Sequence, residues 1–327
     1  MISRRKIAGA IGVCAIAPLD AFTQAPAARV WRIGFLQGGS SATSLHRLEA
    51  LRAGLREFGY VEGKNLVIET RWADGKPDRL ADLAAELVRL KSDVIITSST
   101  PAVASAKRAT ATIPIVMVAS AAPVEAGLIA SLARPGGNVT GMTLMSTDIA
   151  GKWLQIAREL RPGANRIGVL ILDTATAGPT LGALRSIAAQ INVRLIVPPM
   201  KEAADLPGAF DQMHREGAQA LIVQINSVNY EQRAQIVATA ARMRLPTVYA
   251  SGDFADLGGL VSYGANLNAM FHHAAVYVDR ILKGTKPADL PVQQPTTFEL
   301  VINLKTAKAL GIKVPQSIMI QATKVIE

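Results

Sequence analysis

The chain has 327 residues, 35 Lys and Arg against 25 Asp and Glu, and a formal net charge of +10; the length suits about two domains. Half of the residues are hydrophobic and 18% are charged, which excludes disorder and a collagen-like chain. Only 5% are aromatic and there is a single Cys, so helices on buried parallel strands are favoured over an aromatic-rich sandwich, and an intrachain disulfide or multi-cysteine metal site is excluded.

Met1-Ile2-Ser3-Arg4-Arg5-Lys6 precedes an apolar run from Ile7 to Leu19, and Ala25-Pro26-Ala27-Ala28 follows. A positive head, a short apolar body and an A-x-A end predict a secretory signal peptide over residues 1–28. Its expected destination is the periplasm, by the general secretory route or, on the Arg4-Arg5 pair, the twin-arginine route. Cys14 falls inside this segment, so the mature chain carries no Cys, which suits an oxidising compartment. The segment holds Arg4, Arg5 and Lys6 against Asp20, a net of +2, so +8 of the +10 remains after cleavage. The remaining basic residues are scattered beside acids, as in Arg47, Glu49, Arg52, Arg56 and Glu57. They read as solvated helix faces rather than a nucleic-acid surface. No apolar run after residue 28 reaches the roughly 18 residues of a membrane span.

From Val30 the pattern alternates strand and helix. Val30–Leu36 reads as a strand, and a helix follows with Leu45, Leu48, Leu51, Leu55 and Phe58 on one face, ending at Gly59. Leu66–Trp72 is a strand, Pro77 opens a helix with Leu80, Leu83, Leu87 and Leu90 inward, and Asp93–Thr97 is a strand. Ser98-Ser99-Thr100-Pro101 opens a third helix, Ile115–Val118 is a strand, and Ala121-Ala122-Pro123 opens a helix to about Ala133. After a break near Gly141–Ser146 the cycle repeats. Helices are predicted over Asp148–Leu160, from Gly178 to Gln190, Asp205–Glu216 and Tyr230–Met243. Strands are predicted over Arg166–Leu172, Val193–Val197, Ala220–Ile225 and Thr247–Tyr249. Two successive runs of βα units predict two parallel, doubly wound α/β sheets. Leu267–Lys283 is one more helix, Lys286–Pro295 is linker-like, Phe298–Ile302 is a strand, and Asn303 caps a short helix ending at Gly311. These last pieces are too few for a third core and are expected to complete the two lobes.

In open α/β sheets ligands bind beyond the carboxyl ends of the strands. That rule selects Gly38–Thr43, Ser98–Pro101 and Ser120–Pro123 in the first lobe, and Asp173–Gly178, Asn226–Asn229 and Ser251–Phe254 in the second. Their outward N–H groups suit a carboxylate or another small anion. The candidate contacts are Gly39, Ser40, Ser41, Ser99, Thr100, Ser120, Ala122, Asp173, Thr174, Asn226, Asp253 and Phe254, with Phe254 stacking on the guest or walling it off. Catalytic patterns are missing. His46, His214, His272 and His273 make no H-x-x-x-H or H-E-x-x-H spacing, and neither a G-x-S-x-G elbow nor a G-x-x-x-x-G-K-[ST] loop occurs. Gly34-Phe35-Leu36-Gln37-Gly38-Gly39 lacks the spacing of a dinucleotide loop. No enzyme, cofactor or metal is expected.

Arg32-Ile33-Gly34-Phe35-Leu36, the run from Gly54 to Gly63, the run from Leu128 to Gly141 with Ala133-Arg134-Pro135-Gly136-Gly137-Asn138, Gly258–Gly264 and Phe298–Ala307 carry a resemblance. On them the chain resembles the substrate-binding proteins of ABC importers, in the family that includes tryptophan/tyrosine-type binding proteins. The resemblance implies a type I periplasmic binding protein-like fold, two lobes joined by three crossovers, placed near Gly141–Ser146, Val261–Asn266 and Val292–Thr297. It implies lobe I over 29–144 plus 263–292 and lobe II over 145–262 plus 293–327. The guest, an amino acid or an aromatic or branched carboxylate, would lie between the lobes, and the partner would be an ABC permease of the inner membrane. A monomer is expected. Relatives commonly carry an acid where Ala122 stands, and an Asn-Pro pattern where Asp173-Thr174-Ala175-Thr176 stands. If the acid holds a ligand amino group, an acid without an amine fits this chain. The alternative role is a ligand sensor that presents its guest to a membrane receptor. An enzyme on the same scaffold lacks its catalytic groups, and a repressor core is disfavoured because residues 1–28 do not read as a helix-turn-helix.

Overall fold

The computed structural model describes residues 29–173 and 177–327. The predicted signal peptide and Thr174 lie outside them. In β1 (Trp31–Gln37) Ile33 to Gln37 are all buried, as a strand covered by helices on both faces requires. Helix α1 (Ser41–Glu57), β2 (Leu66–Trp72), α2 (Leu80–Arg89), β3 (Val94–Ser98), α3 (Thr100–Ala109), β4 (Ile115–Ser120) and β5 (Val139–Thr143) follow. The five strands make one sheet in the order β2-β1-β3-β4-β5, every pair parallel.

The second sheet begins after α4 (Ala150–Leu160) and takes in β6 (Arg166–Leu170), α5 (Gly178–Gln190), β7 (Arg194–Ile196), α6 (Leu206–Arg215) and β8 (Ala220–Val223). Helices α7 (Ser227–Glu231) and α8 (Arg233–Arg242), β9 (Thr247–Tyr249), α9 (Gly252–Asp256) and β10 (Val261–Gly264) extend it. Helix α10 (Leu267–Leu282) returns to the first sheet. Strand β11 (Glu299–Asn303), α11 (Leu304–Leu310), α12 (Gln316–Met319) and β12 (Lys324–Ile326) complete the second. Its order is β12-β11-β10-β9-β8-β6-β7, parallel except between β10 and β11. The architecture is thus two α/β lobes built on parallel sheets.

Each sheet is packed on both faces. On one side of the first sheet Phe35 and Val116 meet Leu48, Leu51 and Leu55 of α1 and Phe271, Ala274 and Val278 of α10. On the other, Leu36, Ile95 and Met117 meet Leu83 and Leu87 of α2 and Val103 of α3. Helices α1 and α10 cross closely at Gly54, where an added Cβ would lie 2.2 Å from the His272 carbonyl oxygen. The chain passes between the sheets at 144–149, 265–266 and 294–298. The second passage follows Gly264, because Tyr263 and Gly264 pair with Leu300 and Glu299 in the second sheet.

Other differences have local causes. The predicted helix from Ala121 to Ala133 is a chain of turns. Ala126 N donates to Ala122 O, but Gly127 adopts φ +65° and Leu128 N folds back to Pro123 O, which stops propagation after one turn. The predicted Tyr230–Met243 helix is split at Gln232 into α7 and α8. Leu45 and Phe58 of α1 are exposed rather than inward. Among the described residues no helix is long and apolar enough to cross a membrane.

Candidate functional site: the interlobe cleft

The loops at the carboxyl ends of β1, β3 and β4 face those after β6 and β8 across a cleft of about 810 Å³. Its apolar walls come from Leu144, Leu172, Ala177, Ile225, Leu267 and Phe271.

Its polar groups are placed by the strand ends and helix starts. Gln37, the last residue of β1, is 1% exposed. Its Oε1 accepts from Ser98 Oγ at 2.7 Å, and its Nε2 has no partner among the described residues. Arg47 lies on the inward stripe of α1 and is 7% exposed. Its guanidinium sits 3.9 Å over the Tyr230 ring, with Nη2 3.5 Å from Asp253 Oδ2, and its Nε has no partner among the described residues. Asn226 caps α7, its Oδ1 accepting from Asn229 N at 2.8 Å, and its Nδ2 has no partner among the described residues. Asn229 is buried and ties this loop down, donating to Gln224 O at 2.7 Å and Leu170 O at 3.2 Å. Burial pushes the Tyr230 phenol up to about 12, with Arg47 opposing and Asp253 adding, so it stays protonated.

Two lining residues hold left-handed backbone. Ser99 has φ +71° and Ala119 φ +66°, and Ser99 N donates to Ala119 O at 3.3 Å. Side-chain-bearing residues avoid this region at a cost of about 1–2 kcal/mol each. Such strain concentrates where a loop must present its backbone to a ligand. Ala119 also sits in the register shift between Met117, which faces Gly141, and Ser120. Gly141 adopts φ +127°, and a Cβ there would lie 2.1 Å from Met117 O, so only glycine permits this closure of the sheet end.

The lobes touch around the cleft. Glu231 of the second lobe accepts from Ser40 N at 2.8 Å and Ser40 Oγ at 2.8 Å, and from Thr43 Oγ1. The Tyr230 hydroxyl lies 3.4 Å from both Thr43 O and His46 Nε2. His46 is held below its ordinary pKa, chiefly by burial of the ring at this seam.

Of the residues singled out from sequence, Gly39, Ser99, Thr100 and Asn226 line the cleft. Ser40 stands at its edge, bonded to Glu231. Ser120 is fully buried behind it, its Oγ 3.1 Å from Thr100 Oγ1, and Ala122 is buried without reaching it. Ser41 and Asp173 are exposed away from the lining. Asp253 faces Arg47 rather than the cavity. Phe254, expected beside the guest, is instead fully buried in the second lobe, stacked on Tyr249 at 4.9 Å and edge-on to Tyr230 at 6.5 Å. It supports the wall from behind. Gln37, Arg47, Gln224 and Tyr230 line the cleft without having been anticipated. Gln37 and Gln224 are polar residues closing the apolar runs of β1 and β8, and Arg47 is a cation in register with Leu51 and Leu55; these are the signals that mark them.

The family described as ABC transporter substrate binding protein matches residues 39–326. A tyrosine-binding protein of Clostridioides difficile is 28% identical over 261 residues, 79% of this chain and 74% of that protein. Among solved structures, a conserved domain protein of Vibrio cholerae is 28% identical with a TM-score of 0.85, over 91% of this chain and 100% of the other. An ABC domain from Streptococcus pneumoniae in complex with L-Trp shares the fold, at 24% identity and a TM-score of 0.82, over 91% of this chain and 100% of the other. With the match running from the first cleft loop to the last strand, the chain belongs to the ABC transporter substrate-binding protein family, whose members bind solutes and are not enzymes.

Proposed function

We propose that this protein is the exported solute receptor of an ABC importer. It holds a small organic guest, an amino acid or an aromatic or branched carboxylate, in the interlobe cleft and hands it to an inner-membrane permease. It works as a monomer in the periplasm. The observation that carries this reading is the cleft itself, with strand-end loops of both lobes supplying its lining. The Clostridioides difficile relative is a tyrosine-binding protein, which supports a guest with a ring. The apolar surface of Phe271, Leu267 and Ile225 suits such a body.

A guest that touches both lobes stabilises their closed arrangement only by contacts that are weaker when the lobes part. The permease would then distinguish loaded from empty receptor by lobe angle. The test is a thermal-shift screen of amino acids and aromatic or branched acids, followed by small-angle scattering. A true guest raises the melting temperature and compacts the protein. A tight guest that leaves the scattering profile unchanged would refute closure.

A further inference from the structure

The fully buried side-chain amide and guanidinium atoms of the cleft lining that lack a partner among the described residues are all donors. The Gln37 acceptor is used by Ser98 and its Nε2 is unpartnered; the Asn226 acceptor is used by Asn229 N and its Nδ2 is unpartnered; Arg47 offers Nε. Gln37 and Arg47 are more than nine-tenths buried, and a buried N–H without a partner is destabilising. The carbonyls of Gln37, Gly38, Gly39, Ala119, Gln224 and Asn226 already accept a protein N–H. Charge points the same way. Among the described residues lining the cleft, Arg47 is the one cation, and no Asp or Glu is present. Residues 174–176 are Thr, Ala and Thr, so they add no charge by sequence. The two nearby acids are occupied outside the lining. Glu231 is engaged by Ser40 and Thr43, and Asp253 faces Arg47.

We infer that the cleft selects an organic acid that lacks a free amino group: its carboxylate oxygens accept from the unpartnered donors, and its apolar body lies on the Phe271 side. This rests on the receptor reading above and narrows it. A carboxylate gains charge-assisted bonds here. An ammonium would be desolvated beside a guanidinium with no carboxylate to answer it.

The test compares guests that differ only at the α-amino group. 3-Phenylpropionate, 3-(4-hydroxyphenyl)propionate and indole-3-propionate are titrated calorimetrically into the protein, each beside L-phenylalanine, L-tyrosine or L-tryptophan. At least one acid is expected to bind at least about tenfold more tightly than its amino acid, since misplaced like charge costs more than the 1.4 kcal/mol that tenfold represents. Arg47→Gln is expected to weaken that acid by about tenfold or more. Gln37→Glu keeps the Ser98 bond while placing a carboxylate in the donor set, and is expected to reverse the preference; circular dichroism and melting curves confirm that both variants fold. Amino acids binding as tightly as the acids, or tighter, would overturn the inference and leave the receptor reading standing. Binding by neither series would overturn the inference and leave the receptor reading to the wider screen of amino acids and branched acids above. An acid preference that survives Gln37→Glu and Arg47→Gln unchanged would overturn the assignment to these donors.

Discussion

Glu231→Ala should loosen the closed arrangement without touching the guest. Helix α1 begins at Ser41 with no acidic residue in its first turn, and Ser40 gives it no side-chain cap. The carboxylate of Glu231 arrives from the other lobe and takes Ser40 N, Ser40 Oγ and Thr43 Oγ1. It is an acid at a helix N-terminus, supplied in trans. Bonds to an ionised acceptor contribute about 1.5–3 kcal/mol each where water is excluded. Glu231 is only half-buried, so water replaces much of this when the lobes part. A cap of this kind contributes about 0.5–2 kcal/mol, and charge at the helix end adds about 0.3–1 kcal/mol. About 2 kcal/mol in favour of closure is therefore a fair total, or roughly thirtyfold in the closed-to-open ratio.

Apparent affinity scales with the fraction of receptor that is binding-competent. Where the unliganded closed form is minor, the dissociation constant should rise by up to roughly thirtyfold, and by less where it predominates. Glu231→Gln keeps an acceptor but loses the charge, and should fall between. Calorimetry with the best guest measures the change, and where the closed form predominates without guest, small-angle scattering of unliganded protein should show a larger radius of gyration for the Ala variant. If affinity stays within about twofold and the scattering curves superimpose, the latch contributes nothing net and the reasoning fails.

Two further outcomes follow from the packing and the seam. Gly54→Ala places a methyl 2.2 Å from His272 O and 3.0 Å from Ala275 Cβ, so α1 and α10 must separate; a loss of about 1–3 kcal/mol is expected, and an unchanged urea midpoint would contradict the close crossing. The folded state lowers the His46 pKa from 6.5, mainly by burial, with Asp253 opposing and Arg47 and Arg233 reinforcing. The unfolded chain then binds this proton first, so stability is full above 6.5 and falls as the pH drops below it. Melting temperatures followed downward from neutral pH should decline less for His46→Gln than for the wild type, and parallel profiles would remove His46 from the account.

The lobes were legible because their signal is periodic. Strands such as β1 and β3 are continuous apolar runs, and α2 repeats Leu80, Leu83 and Leu87. What escaped was set by tertiary pairing. Strand β5 contains Gly141 and reads as a turn until β4 lies beside it. Strand β10 reads as a connection in the sequence, although Val261 and Ser262 pair with β9 and all four residues pair with β11. The expected helix after β4 carries good helix formers, yet Pro123 and Gly127 close it into turns.

The cleft shows where residue type stops being informative. Asn226 and Phe254 both lie in loops that the strand-end rule selects, and only one reaches the cavity. Asn226 can be placed from its own chemistry, because an Asn before a short helix caps it through Oδ1 and leaves Nδ2 over. Phe254 cannot, since whether its ring turns to a guest or to Tyr249 depends on a strand that the loop does not contain. Arg47 is the converse case. Beside Glu49 and Arg52 it reads as one more solvated charge, but its spacing to Leu51 and Leu55 puts it on the face that packs inward. A cation on an apolar stripe has no favourable resting place unless something answers it. Here Tyr230 and Asp253 answer part of it from across the seam, and the remaining unpartnered N–H is what gives the cleft its preference for an anion.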